Sequence, residues 1–271
     1  MTTRQDPRAS MHERDRTDWK VADPRAHDRT VRGMFGRIAR VYDFMNHLLS
    51  FNRDKAWRRA LVSRLDPDTW ELLDLCAGTG DLGLEALRSG KCREVYASDF
   101  THEMLVAGTR KGLAQAGGVP AITSDAQVLP FRDHSVDAVV VGFGVRNIAD
   151  LGRSVAEIRR VLRPGGQFYV VEFFRDDPEA VDQAQGPRGP VRWFLNRMLP
   201  AMGRLAGNDE SAYGYLAVSM QRFLTPSEYA GLLGEHGFQD ITVDRMTLGI
   251  AHVVGGRLDP SDPLAAQHTA C

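Results

Sequence analysis

The sequence predicts an α/β fold: a mostly parallel sheet with helices packed on both faces. Three observations predict it. Short apolar runs alternate with stretches of helical periodicity, the pattern of successive βαβ units. The first run opens straight into a glycine turn at the start of a helix. Two apolar runs close the chain with no long helical stretch between them, which adds an antiparallel edge.

In chain order, the expected strands are Leu72–Cys76, Glu94–Phe100, a weak Ala121-Ile122, Ser135–Val145, Gln167–Phe174, Ile241–Val243 and Ile250–Val254. Helices are expected between them. Asp81–Arg88 follows the glycine turn. Thr101–Gln115 starts on a capping threonine with an acid close behind. Gly152–Leu162 places Val155, Ile158 and Leu162 at helical spacing before Pro164-Gly165-Gly166 stops it. Residues 1–30 mix Arg, Asp, His and Pro with almost no apolar periodicity, and residues 259–271 look alike; both read as disordered tails. The single domain is then 31–258. Within it, residues 176–224 break the rhythm: a Pro/Gly-rich entry leads into Val191, Phe194, Leu195, Met198, Leu199, Met202 and Leu205 at helical spacing. This reads as a helical insertion able to cover a site.

Composition excludes several classes. The 271 residues are 43% hydrophobic and 25% charged, ordinary for a globular protein, with a formal net charge of −1 that offers no basic field to nucleic acid. Three cysteines, Cys76, Cys92 and Cys271, make no disulfide framework and no zinc spacing. No apolar run is long enough to span a bilayer, and no secretory signal follows Met1. A cytoplasmic protein is expected, without a metal. Arg188, Arg192, Arg197 and Arg204 of the insertion leave open a peripheral contact with an anionic membrane, beside the blander reading of a solvated face. The apolar helices of the insertion also leave room for a homodimer.

The chemistry starts at Asp74-Leu75-Cys76-Ala77-Gly78-Thr79-Gly80-Asp81, a strand end opening into a helix. Glycines there let a ligand approach the backbone. Gly78-x-Gly80-x-x-Gly83 with Asp99 about twenty residues on also satisfies the dinucleotide fingerprint. An acid at Asp99 grips a ribose in either case, so these residues name a nucleoside-type cofactor without choosing between a nicotinamide dinucleotide and S-adenosylmethionine. The rest of the chain chooses. Asp125-Ala126-Gln127-Val128-Leu129-Pro130-Phe131 resembles the methyltransferase segment that contacts adenine, Val161 to Gly166 resembles another methyltransferase hallmark, and no Tyr-x-x-x-Lys pair exists for a short-chain dehydrogenase.

From Met34 to Leu258 the chain resembles the ubiquinone/menaquinone biosynthesis C-methyltransferase family. The segments that carry the likeness are Tyr42-Asp43-Phe44-Met45-Asn46 with Ser50 and Trp57, Asp74–Asp81, Phe143-Gly144-Val145-Arg146-Asn147, and Arg160–Glu172. The resemblance implies a Rossmann-like class I methyltransferase: a mostly parallel seven-stranded sheet, helices on both faces, an antiparallel edge strand. It implies transfer of a methyl group from S-adenosylmethionine to a ring carbon of a demethylated isoprenoid quinol, a lipophilic substrate. Asp74, Gly78, Thr79, Gly80, Asp99, Asp125, Ala126 and Gly142 would form the cofactor site; Arg146, Asn147 and Tyr42 would be catalytic. Three positions depart from the family pattern: Asp54 stands for a histidine, Gly142 for a serine, and Phe174 for a serine. Another aromatic small molecule stays open as substrate, and a nicotinamide-dependent oxidoreductase as the alternative class.

Alkylation of a ring carbon needs the neighbouring hydroxyl to lose its proton. A guanidinium with a pKa above about 12 is no general base, so Arg146 is expected to favour the phenolate and orient a water that takes the proton. Met45, Leu49 and Trp57 read as packing, and Cys76 as a small side chain beside the cofactor.

Overall fold

A computed structural model describes residues 23–39, 47, 50–114, 118–175 and 219–261. Seven strands form one sheet: β1 (Thr69–Leu75), β2 (Cys92–Asp99), β3 (Ala121–Thr123), β4 (Val136–Gly142), β5 (Leu162–Glu172), β6 (Phe238–Met246) and β7 (Ala251–Leu258). Their order is β3-β2-β1-β4-β5-β7-β6. The strands from β3 to β5 run parallel, with Leu73 opposite both Tyr96 of β2 and Val139 of β4. The strand that runs against the others is β7, one place in from the edge, paired antiparallel with β5 on one side and β6 on the other.

Consecutive apolar residues in the central strands serve opposite faces, because side chains alternate along a strand. Leu73, Leu75, Val139, Val141, Phe168 and Val170 meet α5 (Leu151–Val161) and α6 (Pro226–Glu235) in one core. Leu72, Ala138, Val140, Tyr169 and Val171 meet α2 (Arg53–Val62) and α3 (Asp81–Ser89) in the other. Caps set where helices begin. Asp150 accepts the Arg153 amide at the start of α5, and Thr225 and Glu228 cap α6 reciprocally. The expected helix after Thr101 is shorter than its periodicity: α4 is His102–Gly108, and the turn beyond it breaks at Gly112. Pro164-Gly165-Gly166 does not separate α5 from its strand. It lies inside β5, where the pairing with β4 slips between Val136 and Ala138, and Gly165 takes a φ of +77°.

The N-terminal boundary differs from the composition-based expectation. A helix, α1 (Pro24–Ile38), occupies the last part of the stretch read as a polar tail and runs beyond it. Asp23 caps it through the Ala26 amide, and Val31 and Met34 are buried on its inner face. Its apolar positions are too few for periodicity to stand out among the charges. Residues 1–22, Tyr42 with its neighbours, nearly all of the 176–224 insertion and residues 262–271 lie outside the described residues. Among the described residues no helix is long and apolar enough to cross a membrane.

β7 is tightly packed within the sheet. A Cβ on Gly255 would overlap the Phe168 carbonyl oxygen and the Tyr169 ring, and neither backbone can retreat because both belong to central pairing. Gly255→Ala is expected to cost about 2–3 kcal/mol through forced displacement of strands, read as a lower urea midpoint at unchanged m-value.

Candidate active site

Ligands of open α/β sheets bind beyond the carboxyl ends of the strands where the order reverses. Here that point lies between β1 and β4, and a crevice is found there. It is walled by Leu75, Cys76 and Gly78 at the end of β1, Asp99 to Thr101 at the end of β2, Ser124 to Gln127 after β3, Gly142 to Gly144 and Asn147-Ile148 at and beyond the end of β4, and Asp28, Val31 and Phe35 from α1.

Asp99 organises the glycine turn. Its Oδ2 accepts the Gly78 N–H at 2.8 Å and its Oδ1 accepts the Thr101 N–H at 2.7 Å. Burial raises its pKa against the pull of these amides. Gly78 and Gly80 take φ of +58° and +81°, a region glycine enters without penalty. The turn is clamped from outside as well: a Cβ on Gly108 of α4 would come within 2.7 Å of the Thr79 carbonyl oxygen. Two non-glycine residues also adopt left-handed backbone at the crevice, Cys76 (φ 55°) and Phe143 (φ 58°). Gly144 makes room for this, since a Cβ there would overlap the Cys76 Cβ.

Asp74 stands behind the turn, fully enclosed. One oxygen accepts the Gly83 N–H at 2.8 Å, and the other, Oδ1, has no hydrogen-bond partner. Burial lifts its pKa to about 7. The third glycine of the apparent dinucleotide fingerprint serves packing: a Cβ on Gly83 would sit 2.8 Å from Val95 Cγ1 and 3.0 Å from Asp74 Oδ2. Thr79 is buried, and its hydroxyl receives a long contact, 3.4 Å, from Lys111 Nζ. Lys111 and Arg58 both pair with Asp81 in the first turn of α3. Arg58 also pairs with buried Asp54, which accepts from Ser50 Oγ and His47 Nδ1 at 2.8 Å each. Burial opposes the Asp54 charge, but Ser50, Arg58 and His47 together hold its pKa below the usual range.

The expected cofactor residues thus divide. Gly78, Asp99, Asp125, Ala126 and Gly142 line the crevice, while Asp74, Thr79 and Gly80 shape the turn without lining it. Gly142 bears no side chain where a Cβ would have ordinary 3.4 Å contact with Leu82, so its bareness widens the crevice rather than relieving a clash. Of the expected catalytic residues, Asn147 lines the crevice. Arg146 does not: its guanidinium pairs with Glu172 and donates to the Phe143 carbonyl at 3.1 Å, with its side chain only 6% exposed. Its Nε is buried without a partner. Glu172 also accepts the Phe173 N–H at 2.7 Å, and burial still raises its pKa over the pull of Arg146. Tyr42 lies outside the described residues. Trp57 packs on Phe143 and Phe173 and donates to Thr247 Oγ1 at 2.8 Å. Phe174 fills an aromatic cluster with Phe223, Tyr229 and His252.

Sequence reasoning missed the α1 wall, Phe100, Met104, Gln127 and Glu172. The signal for α1 was present in Asp23-Pro24 with Val31, Met34 and Phe35 after it. Glu172 carried a plainer one, an acid ending an otherwise apolar strand.

The arrangement is acidic. Asp28, Asp99 and Asp125 line the crevice, and among the described residues no Lys or Arg lines it. Asp81 already occupies the positive end of α3. Such a pocket repels a pyrophosphate and accepts a ligand rich in N–H and O–H donors or carrying positive charge.

Comparison with known proteins agrees. A family model, the ubiE/COQ5 methyltransferase family, matches residues 23–256. The ubiquinone/menaquinone biosynthesis C-methyltransferase UbiE of Paracoccus denitrificans is 35% identical over 233 residues, covering 83% of this chain and 89% of that protein. The demethylmenaquinone methyltransferase of Thermus thermophilus is 37% identical over 227 residues, covering 83% of this chain and 100% of that protein. Among solved structures, a SAM-dependent methyltransferase, possible histamine N-methyltransferase, from Thermotoga maritima superposes with a TM-score of 0.57 at 17% identity, covering 83% of this chain and 98% of that one. At that identity the likeness speaks for the fold, and it sits beside a matched family spanning nearly all of the described sheet. The chain belongs to the ubiE/COQ5 methyltransferase family.

Proposed function

We propose that this protein transfers the methyl group of S-adenosylmethionine to a ring carbon of a demethylated isoprenoid quinol. The observation that carries the cofactor assignment is the crevice walled by three aspartates and, among the described residues, no basic side chain. Asp99 would hold the ribose hydroxyls, since its oxygens keep lone pairs after accepting two amides. Asp125 and Ala126 would meet the adenine, and Gly78 and Gly142 would let the ligand lie against bare backbone. When bound, the cofactor supplies a methyl group already activated on a sulfonium. The quinol assignment is supported by the named activities of relatives 35% and 37% identical to this chain.

What remains for the protein is alignment and the phenolate. Fixing two reactants in line contributes several kcal/mol, up to roughly 10 in ideal cases. Asn147, on the crevice wall, would orient the ring. Arg146, which does not line the crevice, would favour the phenolate only through the loop it fixes: its guanidinium pairs with Glu172 and donates to the Phe143 carbonyl. Tyr42 would complete the substrate side. A lipid-tailed quinol brings the protein to the cytoplasmic face of a membrane, and the arginines of the insertion suit that contact.

Product formation with demethylmenaquinol in detergent, and none with simple phenols, is the expected outcome of a methylation assay with labelled S-adenosylmethionine; turnover of phenols alone would replace the quinol by another aromatic substrate. Asp99→Ala is expected to weaken S-adenosylhomocysteine about tenfold or more in calorimetric titration, the loss of hydrogen bonds to a charged acceptor. Arg146→Ala strands the Glu172 carboxylate and is expected to cost about 3–5 kcal/mol of stability. Adding Glu172→Gln removes that charge. The double variant is expected to regain its melting temperature while turnover stays depressed.

A further inference from the structure

α1 carries an acid where a helix packed on a protein should be apolar. Asp28, Val31 and Phe35 are spaced i, i+3 and i+7, one face of the helix, and all three line the crevice. Thr30 and Gly33, on the opposite side, are exposed, and so are Arg29 and Arg32 on the flanks. The charges Asp28 feels are Asp125, which repels it, and His27, which attracts it. A carboxylate turned inward beside another carboxylate costs free energy unless something in the crevice satisfies it. The helix is nonetheless held over the crevice. His27 Nε2 lies 3.1 Å from the Asn147 carbonyl oxygen, Arg32 stacks on Phe100, and Gly36 abuts Glu103 of α4.

We propose that Asp28 is a cofactor-binding residue: together with Asp125 it receives the exocyclic amino group of the cofactor's nucleobase, between apolar walls from Val31, Phe35 and Met104. This rests on the S-adenosylmethionine reading above. The amino group has two N–H bonds to give, and the crevice presents two carboxylates to receive them. Burial, and after it the Asp125 charge, hold the Asp28 pKa above the ordinary value, and a donor shared by the two carboxylates would offset that repulsion. α1 is then a wall of the cofactor site, and its docking is coupled to occupancy because the ligand removes the repulsion between its aspartate and Asp125.

The test is calorimetric titration of the full chain with S-adenosylhomocysteine and with S-inosylhomocysteine, which carries a carbonyl oxygen in place of the amino group. Asp28→Ala is expected to weaken S-adenosylhomocysteine about five- to twentyfold, for a partly solvated hydrogen bond to a charged group. The same variant should change S-inosylhomocysteine less than about twofold, within the range of surface substitutions. Asp28→Asn, which keeps an acceptor oxygen, should fall between. Arg29→Ala, on the exposed side of the same helix, should bind both as wild type does. Unchanged S-adenosylhomocysteine affinity in Asp28→Ala, or equal weakening of both ligands, would overturn the proposal. Failure of the unsubstituted protein to bind S-adenosylhomocysteine would overturn the cofactor reading itself, and that result appears before any substitution is made.

Discussion

One carboxylate joins pieces of backbone from which the crevice is built. Asp99, at the end of β2, takes an amide from the glycine turn after β1 with one oxygen and an amide from the start of α4 with the other. A parallel sheet sets its strands side by side but leaves the loops beyond them free to diverge. Here a charged acceptor bridges two of those loops, and charge-assisted bonds are the strong ones. α4 in turn presses Gly108 on the Thr79 carbonyl, and α1 leans on α4 through Gly36 and Glu103. The glycine turn, α4 and α1 are thus linked in sequence to the carboxylate of Asp99.

Strain gathers where this scaffold meets the ligand side. Cys76 and Phe143 hold left-handed backbone at the ends of the two strands that flank the switch point. Non-glycine residues in that region cost of order 1–3 kcal/mol each and persist only where the surroundings over-determine them. The surroundings here are specific: Gly144 gives way to Cys76, and Phe143 is caught between Trp57 and Phe173. A cysteine can therefore stand at the first position of the turn, where a glycine would take the same backbone without penalty. The strain is held by packing around both loops, so the turn keeps its shape without that glycine.

The strands and the glycine turn were legible because both obey local rules: period-two burial on two faces, and backbone geometry that selects glycine. The acid at 99 was legible from its spacing of about twenty residues after the glycine turn, and the acid at 125 from the likeness of its segment to one that contacts adenine in methyltransferases. Partner choice was not. Nothing near Arg146 in the chain announces that its guanidinium meets Glu172, because the two are brought together by β4 and β5 lying side by side. Asp54 likewise departs from the family pattern, yet it gathers Arg58, Ser50 and His47 only after α2 has formed. α1 was lost to composition: a helix with few apolar residues among many charges resembles a tail when only charge and periodicity are weighed. Phe174 departs from the family pattern without touching the crevice, filling a hydrophobic cluster between β5 and α6.

The electrostatics of the site explain why one fold motif serves two cofactor classes. A glycine turn before a helix, with an acid at the next strand end, grips any nucleoside. The charge around the helix start decides between them. A dinucleotide needs its pyrophosphate at the helix N-terminus, where unpaired amides and the dipole attract it. In this chain Asp81 fills that place and is itself held by Arg58 and Lys111, so the positive end of α3 is already answered. Buried Asp74 behind it, its pKa lifted to about 7 by burial, adds further negative potential whenever it ionises. A cofactor with a sulfonium, an ammonium group and a donor-rich nucleoside meets the opposite balance. Its positive charge and its N–H and O–H groups match a crevice lined with aspartates. Selection between the two classes therefore lies in the sign of the potential around the turn, and the fingerprint of glycines carries none of that information.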